Sequence, residues 1–206
     1  MTDVDINAHD LFLLRQKWTL VVNRYFFSLP GPDGKEGQVL AFVEQKRFRF
    51  KEDIRFYTDE SKTEQILAIK ARQRFDPRAR YDITGPAGEK IGEIQKVFGR
   101  SLLRSTYRLH DAAGDEVCEA QERSLAVALL RRAIGFIPYV GGYAEWLPIP
   151  YHFVFTRGDR LLATHTRQLW KLTDHYTIDC RPDTEHLLDR RLVLATAVGM
   201  DALQAR

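Results

Sequence analysis

The most constraining feature of this sequence is a short segment near its C-terminus that is apolar on every side. The stretch Leu192–Met200 contains Leu, Val, Ala and Met with one Thr, one Gly and no charged residue. A helix of this kind must be buried all round, and it is too short to cross a bilayer, which takes about 20 residues. The segment therefore predicts a central buried helix over 189–203, with Asp183 or Thr184 as its N-cap.

Three segments upstream of this helix share a second pattern. In each, an aromatic and an apolar residue two positions apart fall on one face of a strand. A turn with glycine follows, because glycine adopts positive φ without steric cost, and alternating apolar residues then return. The pattern predicts three β-hairpins, at Tyr81–Ile94, Tyr107–Ala120 and Phe153–Ala163.

The N-terminal third is less regular. Alternating apolar residues predict a strand over Trp18–Phe27, a turn at Pro30–Gly34 and a returning strand over Val39–Val43. Short strands are also expected around Phe48–Phe56 and at Ile66–Ala71, with a short helix around Lys46–Ile54 as the alternative for part of the first stretch. A fully apolar helix after a run of hairpins predicts that the hairpins close around it as a β-barrel without free edges. At 206 residues, one domain over 1–206 is expected.

Several stretches of the chain resemble one known group of proteins. They are the hairpin region Tyr81–Leu109, the arginine pair after Ser124, the C-terminal part from Asp174 to Asp201, and Gln16–Tyr25 near the start. These stretches resemble the LURP-one-related and phospholipid-scramblase-like proteins of the tubby-like superfamily. The resemblance implies a mainly β fold in which roughly twelve strands form a closed barrel around a central hydrophobic C-terminal α-helix.

The resemblance also carries expectations about ligands. Tubby proteins bind phosphoinositides through an Ile-Gly-Lys-Leu-Arg stretch, and here Glu93 stands in place of the lysine and Gln95 in place of the arginine. A carboxylate repels phosphate, so the nearby cations Lys96, Arg100 and Arg104 are the candidates to replace them. Scramblase-like proteins are linked to calcium through an acidic stretch, whose counterparts here are Asp174, Asp179 and Asp183. Because that stretch lacks glycine and contains His175 and Arg181, turn residues and a helix cap are the favoured interpretation.

The charge of the chain is uneven. Its formal net charge is +3, yet residues 40–108 carry sixteen Lys or Arg against ten Asp or Glu. A basic region suits an anionic partner, which leaves phospholipid headgroups, nucleic acid or an acidic protein open, beside the plain alternative of a solvated surface. Nucleic acid is the weakest of these, because no recognised nucleic-acid motif is present.

Nothing in the sequence predicts an enzyme or a cofactor. Nucleophile elbows, P-loops, zinc-binding patterns and dinucleotide fingerprints are all missing. The two cysteines, Cys118 and Cys180, fit reduced thiols in a cytoplasmic protein. Residues 1–10 lack the cationic region of a secretory signal, and the chain has no transmembrane segment.

The most suggestive stretch is a long aromatic segment between two hairpins. Arg131 and Arg132 are followed by Tyr139, Tyr143 and Trp146. These side chains could cover one barrel end, contact anionic lipid or contact a protein. The sequence hypothesis is a non-enzymatic binding module for anionic lipid or a hydrophobic ligand at the cytoplasmic membrane face. The alternative is a protein-interaction scaffold that uses residues 136–146.

Overall fold

The protein forms a closed β-barrel with a helix inside it. The computed structural model describes residues 5–18, 22–46, 53–72, 80–97, 105–123, 152–168 and 174–204. The strands are β1 (Leu11–Trp18), β2 (Val22–Pro30), β3 (Glu36–Lys46), β4 (Asp53–Tyr57), β5 (Gln65–Ala71), β6 (Arg80–Thr84), β7 (Lys90–Lys96), β8 (Thr106–Asp111), β9 (Glu116–Glu122), β10 (His152–Arg157), β11 (Arg160–Gln168) and β12 (Asp174–Asp179). A short 3₁₀ turn, Ile6–Ala8, precedes β1, and α1 (Arg190–Gln204) follows β12.

Each strand pairs antiparallel with the next strand along the chain, and β12 pairs with β1 to close the barrel. The register places apolar side chains in rows on the inner face. One such row runs from Phe153 through His165 and Ile178 to Phe12, across four neighbouring strands. Every strand therefore has a neighbouring strand on both sides, so the barrel has no free edge strand. The mainly β fold with roughly twelve strands around a C-terminal helix is confirmed.

The interior of the barrel is filled by α1. From Leu192 to Val198 no residue is more than 2% exposed, and Met200 is 1% exposed. The one hydroxyl in this stretch, that of Thr196, donates to the Leu192 carbonyl at 2.6 Å, so its burial leaves no donor unpaired. The apolar segment is therefore the central helix that the sequence predicts.

The three predicted hairpins are confirmed as β6–β7, β8–β9 and β10–β11. Their turns contain Gly88, Gly114 and Gly158 at φ values of +85°, +97° and +60°. A side chain is strained in this region of φ, which explains why glycine is found at these turns. The turn at residues 31–35 between β2 and β3 is also confirmed.

Three local predictions are wrong or only partly testable. The strand expected from Trp18 is two strands, because Trp18 ends β1 and Val22 begins β2. The helix expected at Lys46–Ile54 begins and ends in strand residues, and 47–52 lie outside the described residues. The predicted caps Asp183 and Thr184 do not cap α1. That role belongs to Asp189, whose Oδ1 accepts from the Arg191 amide at 2.9 Å.

The barrel wall contacts α1 along β7. A β-carbon at Gly199 of α1 would lie 3.8 Å from Ile94 Cδ1, an ordinary contact distance. The approach is closer at a glycine of the wall. A β-carbon at Gly92 of β7 would collide with the His110 carbonyl oxygen and lie 3.3 Å from a methyl group of Leu192.

Candidate functional site

The antiparallel barrel has two different ends. At the end where α1 begins, six connections run through residues 31–35, 58–64, 85–89, 112–115, 158–159 and 180–189. We call this the turn end. At the opposite end, the strands are joined by residues 19–21, 47–52, 72–79, 97–105, 123–151 and 169–173. We call this the loop end, and it is defined here by the ends of the strands to which these segments attach.

The connecting segments of the two ends differ in charge. The loop-end connections contain twelve Lys or Arg and three Asp or Glu. The turn-end connections contain three Lys or Arg and ten Asp or Glu. The strands contain five to eleven residues. A strand rises about 3.3 Å per residue, so even the shortest strands separate the two ends by roughly 15 Å. That separation exceeds the Debye length of about 8 Å at physiological ionic strength.

Of the eight candidate residues from the sequence, the structure describes one, Lys96. Lys96 is the last residue of β7 and is half-buried there. The other seven lie outside the described residues, so their mutual contacts stay a prediction. Their connections nevertheless leave from and return to strand ends at the loop end. These candidates are Arg100 and Arg104 in 97–105, and Arg131, Arg132, Tyr139, Tyr143 and Trp146 in 123–151.

The outer wall beside the loop end holds a compact charge network around Glu93. The Glu93 side chain is 7% exposed, with one oxygen 2.6 Å from Arg72 Nη2 and the other 3.5 Å from Arg80 Nε. Arg72 also donates a hydrogen bond to Asp82, at 2.9 Å. The hydrogen bond to Asp82, and to a smaller extent the interaction with Glu93, raise the pKa of Arg72. Glu93 is thus neutralised by two guanidiniums. The sequence analysis expects this carboxylate to repel phosphate. In the structure it forms ion pairs with two cations of the barrel wall instead.

The acidic residues considered for calcium do not converge on one site. Asp174 accepts from Arg167, Asp179 is 2.6 Å from Arg181 Nη2, and Asp183 is 2.6 Å from Arg190 Nη1. Each carboxylate therefore has its own arginine. Among the described residues, no group of three or more His, Cys, Asp or Glu could hold a metal ion.

The buried cysteines and histidine are poor candidates for chemistry. Cys118 and Cys180 are free and buried. Burial raises the pKa of the Cys118 thiol, and it raises that of Cys180 to about 12, so both thiols are protonated at neutral pH. His165 is 2% exposed, and burial lowers its pKa to about 3, which makes the ring neutral.

The sequence analysis missed a buried charge cluster at the turn end. Arg190, the first residue of α1, donates to Asp183 at 2.6 Å, to Asp10 at 2.7 Å and to the Leu188 carbonyl at 2.8 Å. Burial opposes ionisation of Asp183, but the Arg190 bond and the Leu187 and Leu188 amides lower its pKa overall. Asp10 and Arg190 are separated by 180 positions, and no local pattern connects them.

Comparison with known proteins agrees with this architecture. A family model described as LURP-one-related matches residues 39–201, which is most of the chain. No curated protein matches the sequence. In the part of the chain that the structure describes, no helix is both long and apolar enough to cross a membrane.

Proposed function

The chain belongs to the LURP-one-related family, and from that premise we propose that it is a non-enzymatic binding module for anionic lipid at the cytoplasmic face of a membrane. The observation that carries this proposal is the difference in charge between the two sets of connecting segments. The sequence of the loop-end connections contains twelve cationic residues against three anionic ones, and in our proposal these cations meet the membrane together. An anionic membrane attracts each nearby Lys or Arg by about 1 kcal/mol.

The aromatic segment of the same end fits this geometry. Tyr139, Tyr143 and Trp146 belong to the connection that also carries Arg131 and Arg132. Tyr and Trp favour the headgroup region of a bilayer because each ring is amphipathic. Arginines and rings on one connection can therefore act together, the arginines through attraction and the rings through shallow insertion. The acidic turn end faces away from the membrane in this orientation, which avoids repulsion from the lipid.

Flotation of the purified protein with vesicles tests the proposal. Vesicles of phosphatidylcholine alone are compared with vesicles containing phosphatidylserine, at low and high salt. We expect flotation only with the anionic vesicles and its loss at high salt, because surface attraction is screened. The variant Arg131→Glu/Arg132→Glu is expected to abolish flotation.

A matched control separates position from net charge. Lys35 and Lys90 are exposed at the turn end, so Lys35→Glu/Lys90→Glu changes the net charge equally but leaves the loop end intact. This control should float like the wild type. Equal loss in both variants would contradict a loop-end site, and no flotation of the wild type under any condition would favour a protein partner at residues 136–146.

A further inference from the structure

The inner face of the barrel changes from apolar to polar where β1, β2 and β3 approach the loop end. Nearer the turn end, the inner positions of these strands are filled by Phe12, Phe27 and Ala41, which are fully buried. Nearer the loop end, the inner positions hold uncharged side chains that form hydrogen bonds, namely Gln16, Asn23, Tyr25 and Gln45. We call these four residues the polar cluster. Polar groups that converge in an apolar interior are typical of ligand sites.

A chain of hydrogen bonds fixes the orientation of the Gln45 amide. Gln16 Nε2 donates to the Tyr25 hydroxyl at 3.4 Å, and that hydroxyl donates to Gln45 Oε1 at 3.3 Å. Because Oε1 is the acceptor in this chain, the Nε2 group of Gln45 remains as a donor. Gln45 is 6% exposed, and its Nε2 atom is buried without a hydrogen-bond partner among the described residues. The chain therefore ends on an unused donor.

Asn23 supplies a matching acceptor. It lies directly opposite Gln45 in the β2–β3 register, and side chains at such positions have β-carbons about 5 Å apart. In the part of the chain that the structure describes, the Oδ1 atom of Asn23 is also buried without a partner. The residue as a whole is half-buried and is the second residue of β2, beside the loop end. Buried polar groups are rarely left unpaired, so this donor and this acceptor indicate a bound molecule.

The chemistry of these two atoms favours an uncharged hydroxyl group. A hydroxyl oxygen both accepts and donates hydrogen bonds, so one such oxygen between the two side chains satisfies Gln45 Nε2 and Asn23 Oδ1 together. The quaternary ammonium of a choline headgroup has no N–H to donate. The ammonium and carboxylate of a serine headgroup would lose their hydration among uncharged side chains without gaining a counter-charge. A neutral polyol avoids that cost.

We propose that the polar cluster recognises the glycerol headgroup of phosphatidylglycerol. This inference rests on the proposed function, and it names the anionic lipid that the loop end prefers. A headgroup hydroxyl lies between Asn23 and Gln45, while the phosphodiester carries the negative charge that the basic connections attract. The residues that attract the membrane therefore differ from those that select the headgroup, and the two roles are separable by experiment.

Flotation with two anionic lipids tests the preference for this headgroup. Phosphatidylglycerol and phosphatidylserine each carry one net negative charge, so vesicles with equal fractions of either lipid attract the basic connections equally. We expect about fivefold tighter binding to phosphatidylglycerol, the effect of about one net hydrogen bond. Asn23→Leu and Gln45→Leu should each remove the preference. Gln38→Leu is the matched control, because Gln38 is exposed on the turn-end part of β3, and it should keep the preference.

Amide NMR on the wild type locates the contact without any variant. The ¹⁵N-labelled full chain is titrated with monomeric dihexanoylphosphatidylglycerol, and we expect saturable shifts of the side-chain amides of Asn23 and Gln45. Dihexanoylphosphatidylserine should leave both signals in place. Equal flotation of the wild type with the two lipids, or a titration that shifts neither amide, overturns the inference and leaves the lipid proposal standing. Absence of flotation with both lipids would contradict the lipid proposal, and the titration would then decide the headgroup preference alone.

Discussion

Arg190 Nη1 donates to the carboxylate of Asp183 over 2.6 Å, and neither side chain is more than 1% exposed. The same guanidinium reaches Asp10, which precedes β1. The cluster therefore joins the start of the central helix to the start of the barrel wall. Burying charges is costly, so the geometry must satisfy both partners if the pair is to be tolerated.

Removal of the guanidinium should destabilise the fold strongly. Arg190→Met leaves Asp183 buried without its counter-charge, and we expect a loss of about 3–5 kcal/mol in the free energy of unfolding. Urea denaturation of the purified variant measures it. Arg181→Met is the control, because Arg181 forms an exposed pair with Asp179 and should remain close to the wild type. Similar losses in both variants would show that burial of the pair is unimportant.

Two glycine-to-alanine substitutions should have opposite effects. Gly92→Ala pushes a β-carbon into the His110 carbonyl and toward Leu192, and it should cost about 1–3 kcal/mol of stability. Gly199→Ala places a methyl group at ordinary contact distance from Ile94 and should add up to about 1 kcal/mol through helix propensity. Thermal denaturation of both variants measures the difference. A stabilised Gly92→Ala would mean that the wall and α1 are not in tight contact.

The protein should become less stable as the pH is lowered, because His165 is buried. Burial lowers its folded-state pKa to about 3, below the unfolded value of about 6.5. The unfolded chain therefore binds a proton that the folded chain does not, and stability falls as pH drops from about 6.5 toward 3, by up to about 1.4 kcal/mol per pH unit. Urea midpoints of the wild type and His165→Gln between pH 7 and 5 test this. The variant should lose the part of the slope due to His165, and identical slopes would refute it.

Release of a wall arginine should strengthen lipid binding. Glu93→Gln removes the carboxylate that Arg72 and Arg80 share. Arg72 keeps its pair with Asp82, so one guanidinium, that of Arg80, becomes available to anionic lipid. We expect about fivefold tighter binding to phosphatidylserine vesicles in flotation, from about 1 kcal/mol for the added cation. Glu60→Gln changes the net charge equally at the exposed turn end and should leave binding unchanged. Equal gains in both would point to net charge alone.

The local patterns of the sequence were sufficient for the hairpins and for the central helix. Glycines at positive φ and alternating apolar residues define β6–β7, β8–β9 and β10–β11 over short distances. The sequence analysis did not predict β1, because apolar and polar residues do not alternate regularly along this strand. Gln16 is buried on its inner face, while Leu11 and Leu13 are only half-buried on the other, so polarity does not follow the strand period.

By itself, the sequence determined that an apolar helix must be enclosed, that hairpins supply the wall, and that the chain is basic in some stretches. The tertiary structure alone decided which strand ends lie together. In an antiparallel barrel, alternate connections attach at the same end, so the segments with a basic sequence attach at the loop end and the acidic turns attach at the other. Asp10 and Arg190 likewise meet only through barrel closure and strand register, which long-range packing fixes and local periodicity does not.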